Sequence, residues 1–246
     1  MTSPRPGRLI GVGTGPGDPE LLTVKAVRAL ENADVVAHFA KRGNNSNARR
    51  IVADLLRPDV AELALLYPVT TEIDKTEAAY RRAIDGFYEQ AAASVAERLD
   101  AGQTVAVLSE GDPLFYGSYM HLHVRLAERY RADIIPGVTA MSGAWSQTGL
   151  PISQGDDVLT VLPGTMAEAE LARRLSDTDA AVIMKVGRNL PKIRRALEHA
   201  GRLDNAFYVE RATMQNGHAT RLADKGDDEQ APYFSIVLIP GWRGRA

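Results

Sequence analysis

The chain has no cysteine among its 246 residues, which excludes a disulfide framework, a thiol nucleophile and thiolate metal ligation together. Histidine is scarce as well, with five in all. His121 and His123 lie two apart and point to different sides of a helix, while His38, His199 and His218 are isolated, so no protein-bound metal is expected. No apolar stretch reaches the length of a bilayer span, and Met1-Thr2-Ser3-Pro4-Arg5-Pro6 lacks the apolar heart of a signal peptide. Neither a membrane partner nor export is expected; the expected location is the cytoplasm. An excess of one charge is missing too. The 29 basic and 31 acidic side chains leave a formal charge of −2, without the basic footprint of a nucleic-acid partner.

What is present is an ordinary globular composition, 45% apolar and 24% charged, on a chain long enough for one large or two small domains. Its most informative segment is Leu9-Ile10-Gly11-Val12-Gly13-Thr14-Gly15-Pro16-Gly17-Asp18-Pro19, where an apolar run passes through bare backbone into a helical pattern. A nicotinamide-dinucleotide fingerprint needs glycine at the sixth place counted from Gly11 and an acid ending the second strand. The sixth place is Pro16, and the second apolar run carries Asp34 at its start, so that reading fails.

Strand-like runs at Arg8–Val12, Val35–Ala40, Thr104–Ser109 and Asp133–Ile135 alternate with helical spacing at Leu21–Glu31, Ser46–Leu56, Thr76–Ala101, Tyr116–Tyr130 and Thr139–Gln147. The alternation predicts a mostly parallel sheet covered by helices. In the long helix, Tyr80, Ile84, Phe87, Ala91, Val95 and Leu99 form one apolar stripe. Beyond Pro151 the runs at Val158–Leu162, Ala180–Met184, Asn205–Val209 and Tyr233–Ile239 are joined by fewer helices, Ala167–Leu175 and Leu190–Ala200, with a turn-rich stretch over Gln215–Gln230. This predicts a second domain, 152–246, with more antiparallel pairing than the first, 1–151.

Four glycine-bearing loops follow predicted strands: after Val12, after Leu108 (Ser109-Glu110-Gly111-Asp112-Pro113-Leu114-Phe115-Tyr116-Gly117-Ser118), after Ile135 (Pro136-Gly137-Val138-Thr139-Ala140-Met141-Ser142-Gly143-Ala144) and after Met184 (Lys185-Val186-Gly187-Arg188-Asn189). Ligands of open α/β sheets bind at the carboxyl ends of the strands, so the loops outline one cleft. Gly-Asp-Pro also serves simply as a turn and helix cap, and both uses stay open for Asp112; Thr139 is open in the same way.

The first three loops, in this order, resemble those of the tetrapyrrole methylases, S-adenosylmethionine-dependent enzymes of corrin and sirohaem synthesis, over nearly the whole chain. The resemblance implies two αβα domains with the cofactor in a trough between them, commonly in a homodimer. It also implies cofactor contacts from Pro16, Gly111, Asp112, Phe115, Thr139 and Ala140, then from Met184 or Val186, and from Ala212. Within the family, Phe39–Ala48 and Ile183–Asn189 are most similar to members that methylate C20 of precorrin-2. Cobalt-factor II or another corrinoid position is the alternative substrate, and a non-catalytic module that binds S-adenosylmethionine or a tetrapyrrole is the alternative of another class. A polycarboxylate substrate needs cations at its site: Lys41, Arg42, Arg49 and Arg50 flank the loop after the second strand and Lys185 and Arg188 follow another strand end, with Arg42 and Lys185 the leading candidates and a solvated helix face the alternative for Arg49 and Arg50. The implied nucleophile is the substrate's own electron-rich carbon, so no activated side chain is required. No catalytic base is marked among Tyr116, Tyr119 and His121.

Overall fold

The computed structural model describes residues 7–68, 78–226 and 231–241. Parts of three sequence expectations therefore lie outside the described residues: the opening of the long helix at Thr76, the end of the turn-rich stretch up to Gln230, and the Tyr80 side chain. The chain divides into two compact units, Met1–Thr139 and Ala140–Ala246.

In the first unit, β1 (Arg8–Gly13), β2 (Val35–Lys41), β3 (Ala61–Tyr67), β4 (Thr104–Ser109) and β5 (Arg131–Ile135) form one sheet in the order β3-β2-β4-β1-β5. Every pairing in it is parallel. The inner strands are apolar on both faces, as a sheet covered twice requires. Ile10 and Val12 pack beneath α1 (Val24–Glu31) and α2 (Asn47–Ile51), and Leu9 beneath α3 (Ala78–Asp100) and α4 (Tyr119–Leu126). The stripe of α3 is buried at Phe87, Ala91, Val95 and Leu99. Because β1 leads to helices on one face and the neighbouring β4 to a helix on the other, their following loops part above the sheet. Such a switch point makes a crevice at the carboxyl ends of the strands.

Capping trims the helices relative to the periodic pattern. Thr23 accepts the Ala26 amide at 3.1 Å and starts α1 there, after a separate 3-10 turn at Pro19–Leu21. Ser46 accepts the Arg49 amide at 3.3 Å to start α2, which gives way to a 3-10 turn at Ala53–Leu55. Tyr116 has φ of 56°, so α4 begins only at Tyr119. Two strands were not expected. β3 (Ala-Glu-Leu-Ala-Leu-Leu-Tyr) is built of helix-forming residues, sits at the sheet edge and buries only Leu65 fully.

In the second unit, β6 (Leu159–Pro163), β7 (Ala180–Met184), β8 (Phe207–Glu210), β9 (His218–Arg221) and β10 (Ser235–Ile239) run in the order β6-β7-β10-β8-β9. Only β6 and β7 pair in parallel; the other three pairings are antiparallel. The second unexpected strand, β9, is a polar edge of four residues whose short pattern carries no apolar alternation. One face packs on α6 (Glu168–Ser176) and α7 (Leu190–His199), the other on α5 (Ala140–Thr148). The division thus places α5 with the second sheet, on β8, β9 and β10, whereas the boundary expected near Pro151 follows this helix.

The tightest packing in the first unit lies where three loops meet. A Cβ on Gly137 would stand 2.0 Å from the Gly111 carbonyl oxygen, and one on Gly13 would stand 2.5 Å from the Gly137 nitrogen. Gly137→Ala should therefore destabilise the unit by about 3 kcal/mol, since backbone, not a movable side chain, blocks the methyl. Gly86→Ala in α3, where nothing lies within 4 Å of the added carbon, should instead stabilise by about 0.5–1 kcal/mol. Urea denaturation of both variants checks this, and equal midpoints would refute it.

Candidate active site

The loops after β1, β4 and β5 are joined backbone to backbone. Gly15 and Gly111 form an antiparallel bridge, with the Gly111 amide donating to the Gly15 carbonyl at 2.9 Å. Buried Thr14 donates to the Ser109 carbonyl through its amide at 2.9 Å and its hydroxyl at 3.2 Å. This brings the half-buried Pro16 beside Gly111 and Asp112 at the mouth of the crevice. Asp112 resolves part of its ambiguity: one carboxylate oxygen accepts the Leu114 amide at 2.9 Å, and the other accepts the Gly137 amide at 3.2 Å. It therefore shapes its own turn and ties the second loop to the third. Phe115 is half-buried further along the second loop, with its ring edge-on to Tyr116 at 4.9 Å. Thr139 is half-buried at the end of this unit.

Glu110, which carried no sequence signal beyond its place in the second loop, accepts from the Asn47 side chain and the Ala48 amide at the start of α2. Burial pushes its carboxyl above the usual range against those bonds. The loop after β2 is thereby fastened to the end of β4. In that loop Arg42 is exposed and has no ion pair among the described residues. Arg49 instead grips Glu62 with two bonds of 2.7 and 2.8 Å, and Glu62 also lies 3.5 Å from His38. Arg50 donates to Asn47 at 3.2 Å. Both side chains have structural partners, in keeping with a helix face.

In the second unit, Ala140, Met184 and Ala212 share one partly buried apolar cluster on the α5 face of the sheet. Val186 is completely buried on the opposite face, among the α6 and α7 side chains. Simple alternation would put Met184 and Val186 on one side. Lys185 prevents this: its φ of 57° turns the chain over at the end of β7. Met184 therefore stays half-buried on the α5 face of the sheet, while Val186 caps the following 3-10 turn through its carbonyl, 2.8 Å from the Asn189 nitrogen. The Lys185 and Arg188 side chains are exposed nearby. Ala212 sits between two further left-handed residues, Arg211 with φ of 48° and Thr213 with φ of 66°.

Tyr119 is fully buried, donates or accepts at 3.2 Å with His123 Nδ1, and has its hydroxyl pushed up to about 12 by burial, so it stays neutral. The His121 ring stacks on Tyr88 at 3.9 Å; burial and then Arg125 push its pKa down. Among the described residues no group of three His, Asp or Glu is placed to hold a metal, and no helix is long and apolar enough to cross a membrane.

The doubly covered parallel sheet, its glycine-lined switch point and the mixed second sheet define a two-unit α/β protein of small-ligand chemistry. The chain belongs to the tetrapyrrole (corrin/porphyrin) methylases, whose family model matches residues 8–224. It is 71% identical to the precorrin-2 C(20)-methyltransferase of a Sinorhizobium species over 97% of each chain. It is 32% identical to the cobalt-precorrin-2 C(20)-methyltransferase of Salmonella typhimurium, covering 95% of this chain and 96% of that one. Among solved structures it is similar in fold to the uroporphyrin-III C-methyltransferase of Thermus thermophilus complexed with S-adenosyl homocysteine, with a TM-score of 0.62, 23% identity and coverage of 94% and 97%.

The double role of Asp112 sets an expectation that does not depend on any ligand. Asp112→Ala removes two bonds to a carboxylate and should cost about 2 kcal/mol of stability, while Asp112→Asn, which keeps one acceptor oxygen, should cost about half as much. Denaturant titration of the two variants checks the order; an alanine variant as stable as the parent would show that the bonds are dispensable.

Proposed function

We propose that this protein transfers a methyl group from S-adenosylmethionine to C20 of precorrin-2, in cobalamin biosynthesis. The observation that carries the reading is the 71% identity to the Sinorhizobium enzyme over 97% of both chains, against 32% for the relative named for the cobalt-loaded substrate. The residues fit such a donor. Adenosyl and amino-acid groups need backbone donors and acceptors over a floor without bulky side chains, and the close approach of Gly13, Gly111 and Gly137 leaves bare backbone at the crevice. Ala140, Ala212 and Met184 offer small or pliable apolar surface in the second unit.

When bound, S-adenosylmethionine supplies a methyl group on a positively charged sulfonium. The work left to the chain is positioning, which can contribute several kcal/mol by replacing a bimolecular encounter with a held geometry. Pro16, Gly111, Asp112, Phe115, Thr139 and Ala140, with Met184 and Ala212, hold the donor in this reading; Val186 contributes at most through its backbone. Apolar surface around the sulfonium favours a reaction in which positive charge is lost. Arg42 and Lys185 bind substrate carboxylates, and Arg42 is suited to this because no acid neutralises it in its own loop. No side chain is assigned as the base that takes the C20 proton; the neutral, buried Tyr119 is unsuited to it. The family resemblance supports a cytoplasmic homodimer as the working form.

Two measurements test the proposal. Incubation with S-adenosylmethionine and either metal-free precorrin-2 or its cobalt-loaded counterpart, read by mass and by carbon NMR with a labelled methyl, should give one methyl at C20 of the metal-free compound. Preference for the cobalt form would move the chain to the sibling activity, and donor binding without turnover on either would favour a binding module. Arg42→Ala should weaken tetrapyrrole binding about tenfold, the effect of one charge-assisted bond, and leave donor affinity unchanged. Equal substrate affinity would remove Arg42 from the site.

A further inference from the structure

The α5 helix lays Ala140 and Ala144 on the second sheet, and Gln147 follows them on the same face, one further helical step of three. A long amide on a helix face whose other members, Met141 and Trp145 included, are apolar needs a physical reason. Its Oε1 accepts the Thr213 amide at 3.1 Å, a bond that spans 66 positions of sequence. Thr213 is a β-branched residue in the left-handed region at φ of 66°, and Arg211 two places earlier is at 48°. Two such residues flanking a single alanine are uncommon and persist only when their surroundings over-determine them.

Further restraints act on the Arg211 end of this turn, from its own sheet edge. The Arg211 amide donates to the Phe234 carbonyl at 2.8 Å, and the Met214 amide to the Arg211 carbonyl at 3.0 Å. The Arg211 guanidinium pairs with Glu210, which also accepts from Tyr208 at 2.8 Å. Gly217 is required beneath it, since a Cβ there would stand 2.2 Å from the Arg211 carbonyl oxygen. These bonds anchor the Arg211 end. The Gln147 bond holds the Thr213 end, and it alone among them comes from the helix that carries Ala140. Between the anchors, Ala212 has no backbone hydrogen bond among the described residues.

We propose that Gln147 is a positioning residue for the methyl donor: its amide oxygen holds the strained Arg211–Thr213 turn in the shape that presents the Ala212 backbone beside Ala140 and Met184. This rests on the reading that these three residues contact S-adenosylmethionine. Without the bond, Thr213 relaxes toward negative φ, and the turn has the binding shape for only part of the time. Apparent affinity falls by that fraction.

Titration calorimetry of the full chain with S-adenosylhomocysteine tests this. Gln147→Ala should raise the Kd about tenfold, with the tetrapyrrole Kd unchanged, because a turn set free from two left-handed residues is mostly in other shapes. Gln147→Glu, which keeps the acceptor, should stay within about threefold of the parent. Adding Thr213→Gly to Gln147→Ala should recover most of the loss, since glycine adopts positive φ without penalty. A purely structural role would lower the melting temperature of Gln147→Ala and leave the Kd of the folded protein untouched; that result overturns the proposal. Absence of binding by the parent chain would overturn the donor reading itself, and this inference with it.

Discussion

The contact of three bare backbones at Gly13, Gly111 and Gly137 is the constraint on which the first unit depends. Each glycine ends or follows a different strand, and no Cβ can be fitted between them. Their approach lets the loops after β1, β4 and β5 share hydrogen bonds: the Gly15 and Gly111 bridge, the Thr14 bonds to Ser109, and Asp112 to Gly137. A crevice at a switch point is normally the loosest part of a parallel sheet. Here it is cross-linked, so its backbone groups are held in place before any ligand arrives, and ordering them costs binding little.

In the second unit strained backbone marks the corresponding positions. Lys185, Arg211 and Thr213 are left-handed without being glycine, and each adjoins a candidate contact residue, Met184 or Ala212. Such conformations cost of order 1–3 kcal/mol each and must be offset by the bonds around them. At β7 the offset comes from a buried Val186, from Asn189, whose side chain donates to the Lys185 carbonyl at 3.1 Å, and from the Val186 carbonyl capping the next turn. At β8 it comes from Glu210, the Phe234 carbonyl and Gln147.

Charge is sorted in the same economical way. Arg49, Glu62 and His38 form a local group in which Arg49 holds the Glu62 carboxyl below its usual range and burial pushes His38 down, so the histidine is neutral. Glu110 is committed to the start of α2. Arg42 is exposed and has no ion pair among the described residues.

Much of this was legible in the residues. Glycine-rich loops placed after apolar runs and alternating strand and helix periods point to the fold class and to the end of the sheet at which a ligand is expected, because each acts through its immediate neighbours. The edge strand β3 escaped because its leucines, alanines and glutamate favour a helix, and only the open edge of β2 makes it extended. β9 escaped because four mostly exposed and mostly polar residues carry no period. That Met184 and Val186 lie on opposite faces was decided by the left-handed turn at Lys185, and the double use of Asp112 by the arrival of Gly137 from 25 residues away. The sequence by itself thus determined what depends on local spacing and side-chain chemistry. Which face a residue takes after a strand ends, and which distant amide a carboxylate or Gln147 meets, were decided only by the folded chain, because those bonds join segments whose separation in sequence says nothing of their distance in space.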